Sequence, residues 1–164
     1  MSDSWPAPGP RYAALLQLLR TAETLWQASR SWFGRWRLSP SQFNALNLLR
    51  DQPEGLSQTE LSRLLIMHRS NLTGLVDGLE TRGLVARGDW AGDRRAYRVA
   101  LTAKGRKLLA EILPGYFAAV EAVLSNLGEA RARKLAAEMA CLAENARSFS
   151  AQGASSTRSK RFKR

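Results

Sequence analysis

Polar side chains that can bind phosphates and the edges of nucleotide bases are concentrated in one short run near the middle of the chain. The run contains His68, Arg69, Ser70, Asn71, Thr73 and Gly74. Arginine binds phosphate and guanine, asparagine binds adenine, and hydroxyl groups bind either. A glycine beside them allows close approach of another molecule. These residue types indicate binding to a nucleic acid rather than bond cleavage.

A second basic group follows in Asp93-Arg94-Arg95, directly after the glycine-containing stretch 88–92. An arginine pair near the tip of a hairpin can enter the narrow minor groove of DNA, where the negative potential is strongest. Asp93 can hold one guanidinium in place through a bidentate ion pair. The alternative is a solvated charged turn, which is the default for a hairpin that stands alone.

The helix that must position the first run is predicted over Arg69–Arg82. Its apolar residues fall within one narrow arc at about 3.6 residues per turn, so the polar residues between them must point outward. Those apolar residues are Leu72, Leu75, Val76 and Leu79. A helix about 10 to 12 Å across fits the roughly 12 Å wide major groove. The alternative, an ordinary solvated face, is less favourable because each glycine in it costs about 1 kcal/mol relative to alanine.

Two earlier helix starts are marked by capping boxes, in which the first and fourth residues cap each other. Ser39 with Gln42 begins one helix, and Ser57 with Glu60 begins the helix before the turn. We call the helix predicted over Arg69–Arg82 the recognition helix. We expect Ser57 and Gln58 to contact DNA as well, because they begin the helix that precedes it.

A β-hairpin is predicted after the recognition helix. Gly83 is typical of the left-handed position that ends a helix. An extended segment then runs to Arg87, a turn covers 88–95, and the alternation of Tyr97, Val99 and Leu101 predicts the return strand.

Long apolar helices are predicted at both ends of the chain. Residues 11–33 carry one apolar stripe at helical spacing and a second at intervals of seven, so this helix needs two partners. The second face indicates burial against another subunit, and the alternative is a helix deep in its own core. Thr102 is predicted to cap a long helix with a kink at Pro114, and after Gly128 a final helix covers 129–148.

The C-terminal residues 150–164 are small, polar and then basic. They offer too little apolar surface to offset the entropy of ordering, so the sequence predicts disorder. A solubilising charged end is favoured over an arm that binds nucleic acid without sequence choice.

The composition favours a polyanionic partner and argues against several function classes. The 164 residues carry 25 Lys+Arg against 14 Asp+Glu, for a net charge of +11 and a pI near 11.0. With one cysteine and one histidine, the chain cannot build a Cys/His zinc cage, and we expect no metal and no cofactor. A nucleophile with a base is not evident, so we expect no enzyme. Without an export signal or an apolar segment long enough to span a bilayer, we expect a cytoplasmic protein that does not contact membranes.

The order of these elements resembles the MarR family of bacterial transcriptional regulators. The resemblance lies in Leu61–Leu65, in the run from His68 to Arg87, and in the motif D-x-R, formed by Asp93 and Arg95, followed by L-T-x-x-G over 101–105. Gly78 stands where the family often has a basic residue. The resemblance implies a mainly α fold with a small β-hairpin wing, a winged helix-turn-helix flanked by N- and C-terminal dimerisation helices.

Composition and the resemblance together predict five parts, of which the first and the last lie outside the family pattern. These are a flexible N-terminus (1–10), an N-terminal dimerisation helix and connection (11–38), the winged helix-turn-helix DNA-binding lobe (39–101), the C-terminal dimerisation helices (102–149) and a disordered basic tail (150–164).

The function implied is sequence-specific regulation of transcription, with repression expected, by a homodimer bound to double-stranded DNA. A two-fold dimer presents its recognition helices about one DNA turn apart, which predicts a pseudo-palindromic operator of roughly 16 to 20 base pairs. The alternative is an architectural or nucleoid-type protein that binds DNA with little sequence specificity.

Similar proteins often release DNA when a small aromatic or phenolic ligand binds between the dimer helices and the DNA-binding lobe. Trp26, Trp36 and Phe43 are the candidates for such a pocket here, although large aromatic side chains more often fill cores. Cys141, in an alanine-rich helix, is interpreted as a packing residue rather than a redox sensor.

Overall fold

The computed structural model describes residues 9–65, 71–90 and 93–161, and side chains up to residue 149 except those of 89–96. The chain forms two compact units, Met1–Leu113 and Pro114–Arg164. Most of the predicted flexible N-terminus lies outside the described residues, and the first helix begins at Pro10, one residue earlier than predicted.

The first unit is mainly helical, with a small sheet made of one short strand before its third helix and a hairpin after its fourth. Its elements are α1 (Pro10–Phe33), a 3₁₀ turn (Gly34–Trp36), α2 (Pro40–Leu49), β1 (Leu56–Ser57), α3 (Gln58–Leu64), α4 (Leu72–Thr81), β2 (Val85–Trp90), β3 (Asp93–Leu101) and the first part of α5 (Ala103–Val123). The mainly α fold with a β-hairpin wing that the sequence predicts is confirmed.

Both predicted capping boxes are present. The Ser39 hydroxyl accepts from the backbone N–H of Gln42 at 3.1 Å, and the Gln42 side chain accepts from the Ser39 N–H at 3.0 Å. Ser57 and Glu60 repeat this exchange at 3.2 and 2.8 Å. The boxes begin α2 and α3 because each satisfies N–H groups that the first helical turn leaves unpaired.

The core of the first unit lies between the helices and one face of the sheet. Its largest fully buried side chains come from every element of the unit except β1 and the 3₁₀ turn, with Val76 and Leu79 contributed by α4. The others are Phe33, Phe43, Leu46, Leu49, Leu61, Leu84, Val85, Val99, Leu109 and Ile112. This burial fixes which face of α4 is left for contact with other molecules.

The sheet has three antiparallel strands in the order β1-β3-β2. The sequence predicts the hairpin but misses β1, a two-residue strand whose Leu56 pairs with Val99. The predicted turn over 88–95 is too long, since β2 continues to Trp90 and β3 resumes at Asp93. Cross-strand pairing outweighs the turn preference of the glycine and aspartate residues here, because each ladder bond satisfies backbone groups.

Two glycines occupy left-handed backbone positions. Gly83 has φ 67° after α4, which confirms the predicted helix end. Gly55 has φ 70°, and a Cβ there would lie 2.5 Å from the Val99 carbonyl oxygen. The close approach of this loop to β3 therefore requires glycine.

α1 buries only Phe33 against its own chain. Tyr12 and Leu15 are each 50% exposed, and Leu19 is 57% exposed. The alternative in which this helix lies deep in its own core is therefore wrong. Its two apolar faces are left available for a partner, as the second face led us to expect.

The second unit contains the last part of α5, from Pro114, and the whole of α6 (Glu129–Arg161). α6 continues to Arg161 instead of ending near 148, and the predicted disorder of the tail 150–164 stays a prediction. Adding a residue to an existing helix costs far less than starting one, and this segment contains no proline. Cys141 is exposed on α6, so the chain does not bury it as predicted.

Candidate nucleic-acid interface

α4 presents a polar face on the side opposite its core residues. The predicted inner residues of α4 are each at most 8% exposed. Asn71, Thr73 and Gly74 are exposed on the outer side, as the periodicity predicts. His68, Arg69 and Ser70 lie outside the described residues, and their contacts with DNA stay predictions.

The two glycines of α4 have different surroundings. A Cβ built on Gly74 meets nothing within 4 Å, so this position faces open space. A Cβ on Gly78 lies 3.4 Å from Nε2 of Gln42 on α2. Gly78 therefore faces α2, and the thin outer surface depends on Gly74.

Ser57 and Gln58 have separate roles at the start of α3. The Ser57 hydroxyl is engaged within the capping box, where it also donates to Glu60 Oε2 at 2.8 Å. Hydrogen bonds from Ser57 lower the pKa of the Glu60 carboxyl. The bond from the Ser57 backbone N–H has the largest effect, and the bond from its hydroxyl comes next. Ser57 thus holds the helix start, which leaves Gln58 as the better placed of the two for an external contact.

An open groove of about 180 Å³ lies between α3 and α4. Gln58, Thr59, Ser62 and Thr73 line it with polar groups, above the side chain of Leu72. The sequence analysis missed Thr59 and Ser62, although their spacing of three places them on the same side of α3. The groove extends the polar surface of α4 onto the preceding helix.

The backbone of Asp93-Arg94-Arg95 begins β3, where Asp93 pairs with Trp90. The three side chains lie outside the described set, so the proposed minor-groove contact and its bracing by Asp93 stay predictions. What the structure adds is their placement at the start of a paired strand rather than within a loop.

Arg98 fastens the base of the wing to the loop before α3. Its guanidinium donates to the backbone oxygens of Glu54 at 3.1 Å and Gly55 at 2.8 Å. It also lies 3.6 Å from the Glu60 carboxylate. The wing and the helix-turn-helix are therefore joined by backbone contacts as well as by the sheet.

Arg87 on β2 fastens the other side of the wing to α4, and sequence reasoning missed it. Its guanidinium pairs with both Asp77 and Glu80, and its backbone N–H donates to Glu80 Oε1 at 3.1 Å. The hydrogen bond to Asp77 is the largest cause of a raised pKa for Arg87. The sequence held two signals for this contact. Asp77 and Glu80 stand three positions apart on α4, and an arginine stands at the start of the wing.

Trp36 and Phe43, two of the three candidate ligand-pocket residues, belong to one aromatic cluster. Phe43 stacks on Phe33 at 4.2 Å between ring centroids, and Trp32 contacts Phe33 at 5.0 Å and Trp36 at 4.8 Å. Phe43 is a core residue, at 1% exposure.

The third candidate, Trp26, is half-buried on α1 and lies outside the ring contacts seen among the described side chains. A guanidinium borders the cluster at its surface, since Arg35 lies 4.6 Å from the Trp32 ring and 4.7 Å from the Trp36 ring. The structure therefore unites two of the three candidates and places a cation beside them.

The MarR family profile matches residues 38–96, the part of the chain that holds α2 to the wing. The HTH-type transcriptional repressor YetL of Bacillus subtilis is 32% identical over 115 residues, which cover 70% of this chain and 69% of YetL. The chain belongs to the MarR family. Members of the MarR family are transcription regulators rather than enzymes.

Solved MarR-family structures share the fold. NadR, crystallised with 4-hydroxyphenylacetate, is 27% identical with a TM-score of 0.72, covering 85% of this chain and 98% of NadR. MepR of S. aureus, solved as a DNA complex, is 21% identical with a TM-score of 0.70, covering 82% of this chain and 96% of MepR. Among the described residues, no helix is long and apolar enough to cross a membrane.

Proposed function

We propose that this MarR-family protein is a sequence-specific transcriptional repressor that binds a pseudo-palindromic operator as a homodimer in the cytoplasm. The observation that carries the proposal is the outer face of α4, where Asn71, Thr73 and Gly74 are exposed opposite a fully apolar inner face. A thin polar helix face can enter the major groove and read base edges. The net charge of +11 favours approach to DNA.

Sequence specificity is tested by sequencing the genomic fragments that the full-length protein retains. A recovered fragment should then be displaced at least about a thousandfold more readily by its own sequence than by random duplex. Equal displacement by both would overturn the proposal in favour of an architectural DNA-binding protein.

The recognition face is tested with a matched pair of threonine variants on α4. Thr73→Ala should weaken binding to the selected site about tenfold, because a base or phosphate contact is lost. Thr81→Ala, at the far end of α4 where the hydroxyl donates to the Asp77 carbonyl oxygen at 2.8 Å, is the control. Equal effects would place the contact elsewhere.

Dimerisation is proposed from the apolar side chains that a single chain leaves uncovered. In α1, Leu19 is 57% exposed, and in the second unit Phe117 and Leu142 are 50% and 49% exposed. Exposed apolar residues in this number mark an interaction surface. Leu19→Glu should shift the protein from dimer to monomer in sedimentation, and Gln17→Glu, with the same charge change on the polar side of α1, should not.

We also propose that a small aromatic or phenolic anion releases the protein from its operator. Trp32 and Trp36 offer aromatic surface, and Arg35 supplies a cation beside them. NadR, at 27% identity, was solved with such a ligand. A panel of hydroxylated aromatic acids should include one that releases operator DNA from the protein but not from Trp36→Leu. If no acid acts at millimolar concentration, this part fails and DNA binding stands.

A further inference from the structure

We propose that the end of α4 and the start of α5 form a separate site for a small dianion, best matched by a phosphate monoester with an apolar group. An open cavity of about 260 Å³ lies there. Its lining residues are Arg82, Leu84, Lys104, Lys107, Leu108 and Glu111. None of the aromatic residues Trp26, Trp36 and Phe43 lines this cavity, so it differs from the candidate effector pocket.

Two of its three cations are held in place by carbonyl groups. The Arg82 guanidinium donates to the backbone oxygens of Arg37 at 2.7 Å and Trp36 at 2.9 Å. The Lys104 ammonium donates to the Arg82 oxygen at 2.7 Å. A carbonyl carries no net charge, so these bonds fix the positions of both cations without neutralising them.

No ion pair joins Arg82, Lys104 or Lys107 to a carboxylate in the part of the chain that the structure describes. The one acidic residue of the lining is Glu111, whose Oε1 accepts from Nε1 of Trp36 at 2.8 Å. Three cations and one carboxylate give the lining a net charge of +2. That charge is matched by a dianion and only half balanced by a monoanion.

The cavity also limits the size of the ligand and favours an apolar group on it. Leu108, half-buried, provides apolar surface beside the cations, whereas Leu84 is only 2% exposed. The volume of about 260 Å³ lies below the roughly 300 Å³ at which pockets for drug-sized molecules begin. A compact phosphate ester with one small apolar substituent matches both the charge and the apolar surface of Leu108. An internal phosphodiester of DNA carries a single charge and fits less well.

The test is calorimetric titration of the full-length protein with phenyl phosphate, inorganic phosphate and phenol. At pH 7.5 phosphate monoesters are mostly dianions, because their second pKa is about 6. We expect phenyl phosphate to bind more tightly than inorganic phosphate because its ring can contact Leu108, and phenol to give no measurable binding. Absence of phenyl phosphate binding at millimolar concentration would overturn the proposal.

Two variants with opposite expected effects on affinity locate the bound anion. Lys107→Ala should weaken phenyl phosphate binding about tenfold, since a charge-assisted contact is lost. Glu111→Gln should strengthen it about threefold, because a repelling charge is removed while the amide oxygen can still accept from Trp36. Should Lys107→Ala unfold, Glu111→Gln alone decides.

Arg106→Ala is the matched control, a neighbouring exposed cation of α5 that does not line the cavity. It should leave phenyl phosphate binding unchanged. If Arg106→Ala weakened phenyl phosphate binding as much as Lys107→Ala, the attraction would be diffuse and the proposal would be overturned. If Glu111→Gln left the affinity unchanged, the anion would bind at a different site, which would overturn the proposal as well. Because DNA is absent from the titration, the result is independent of the proposed repressor function.

Discussion

Arg87 of the wing donates to Asp77 of α4, so these two elements are joined by a charged contact as well as by the core. Glu80, one helical turn further along α4, accepts from the same guanidinium. The Arg87 side chain is 23% exposed, so its guanidinium is partly shielded from solvent. Arg87 therefore holds the wing against α4, in addition to the contacts of Arg98 and the sheet.

Arg87→Ala should lower the free energy of unfolding by about 1 kcal/mol, because two partly exposed carboxylates lose their shared donor and then repel each other. Operator binding should weaken as well, since the wing loses its fixed position. Urea unfolding at a fixed protein concentration measures the first effect. The control is Arg50→Ala, whose pair with Asp51 is exposed and should leave the urea midpoint unchanged. Equal midpoints for the two variants would contradict the structural role of Arg87.

Gly74→Ala should change stability and DNA binding in opposite directions. The position is helical and open, so alanine should stabilise the protein by up to about 1 kcal/mol. The added methyl group would occupy space that the duplex needs, and operator affinity should fall about tenfold. Gly34→Ala, also in open space but remote from α4, is the control and should not alter affinity. Unchanged affinity in Gly74→Ala would remove this face from the contact.

Gly105→Ala should destabilise the protein strongly. A Cβ at this position would lie 2.0 Å from the backbone oxygen of Leu84, and a backbone atom cannot rotate away. We expect a loss of about 3 kcal/mol or more in the free energy of unfolding, at the upper end of overpacking effects. The same chemical change at Gly74 is expected to stabilise, so the pair separates packing from helix propensity. A small loss in Gly105→Ala would show that α5 is less tightly packed on Leu84.

Glu60→Gln should reveal how much the α3 capping box depends on pH. Hydrogen bonds from Ser57 hold the pKa of Glu60 below its ordinary value of 4.5. A lowered folded-state pKa contributes stability above the unfolded value, and that contribution is lost as the pH falls through the folded one. The unfolding midpoint of the variant should therefore lie below that of the parent at pH 7 and approach it well below pH 4.5. A difference that does not vary with pH would contradict the assignment.

Local sequence was enough to predict the helix starts and the inner face of α4. The boxes at Ser39 and Ser57, and the cap in which Thr102 Oγ1 accepts from the Gly105 N–H at 3.0 Å, involve residues only three positions apart. Helical periodicity likewise reports which residues share a face. Such contacts are decided within one or two turns of chain, so residue type and spacing determine them.

Only the tertiary structure decided which distant residues meet. Arg98 reaches Gly55 and Arg82 reaches Trp36 across more than forty positions of sequence, and β1 exists only because β3 pairs with it. The backbone course of α6 beyond residue 149 also differed from the expectation, because composition reports the lack of a core but not the low cost of extending an existing helix.

The sequence by itself thus determined that this protein has a thin polar recognition helix and a basic wing. The tertiary structure decided how Arg87 and Arg98 hold the wing in place and which cations surround the cavity at the end of α4. The physical reason is that a long-range contact depends on the packing of several elements at once, and no local pattern contains that information.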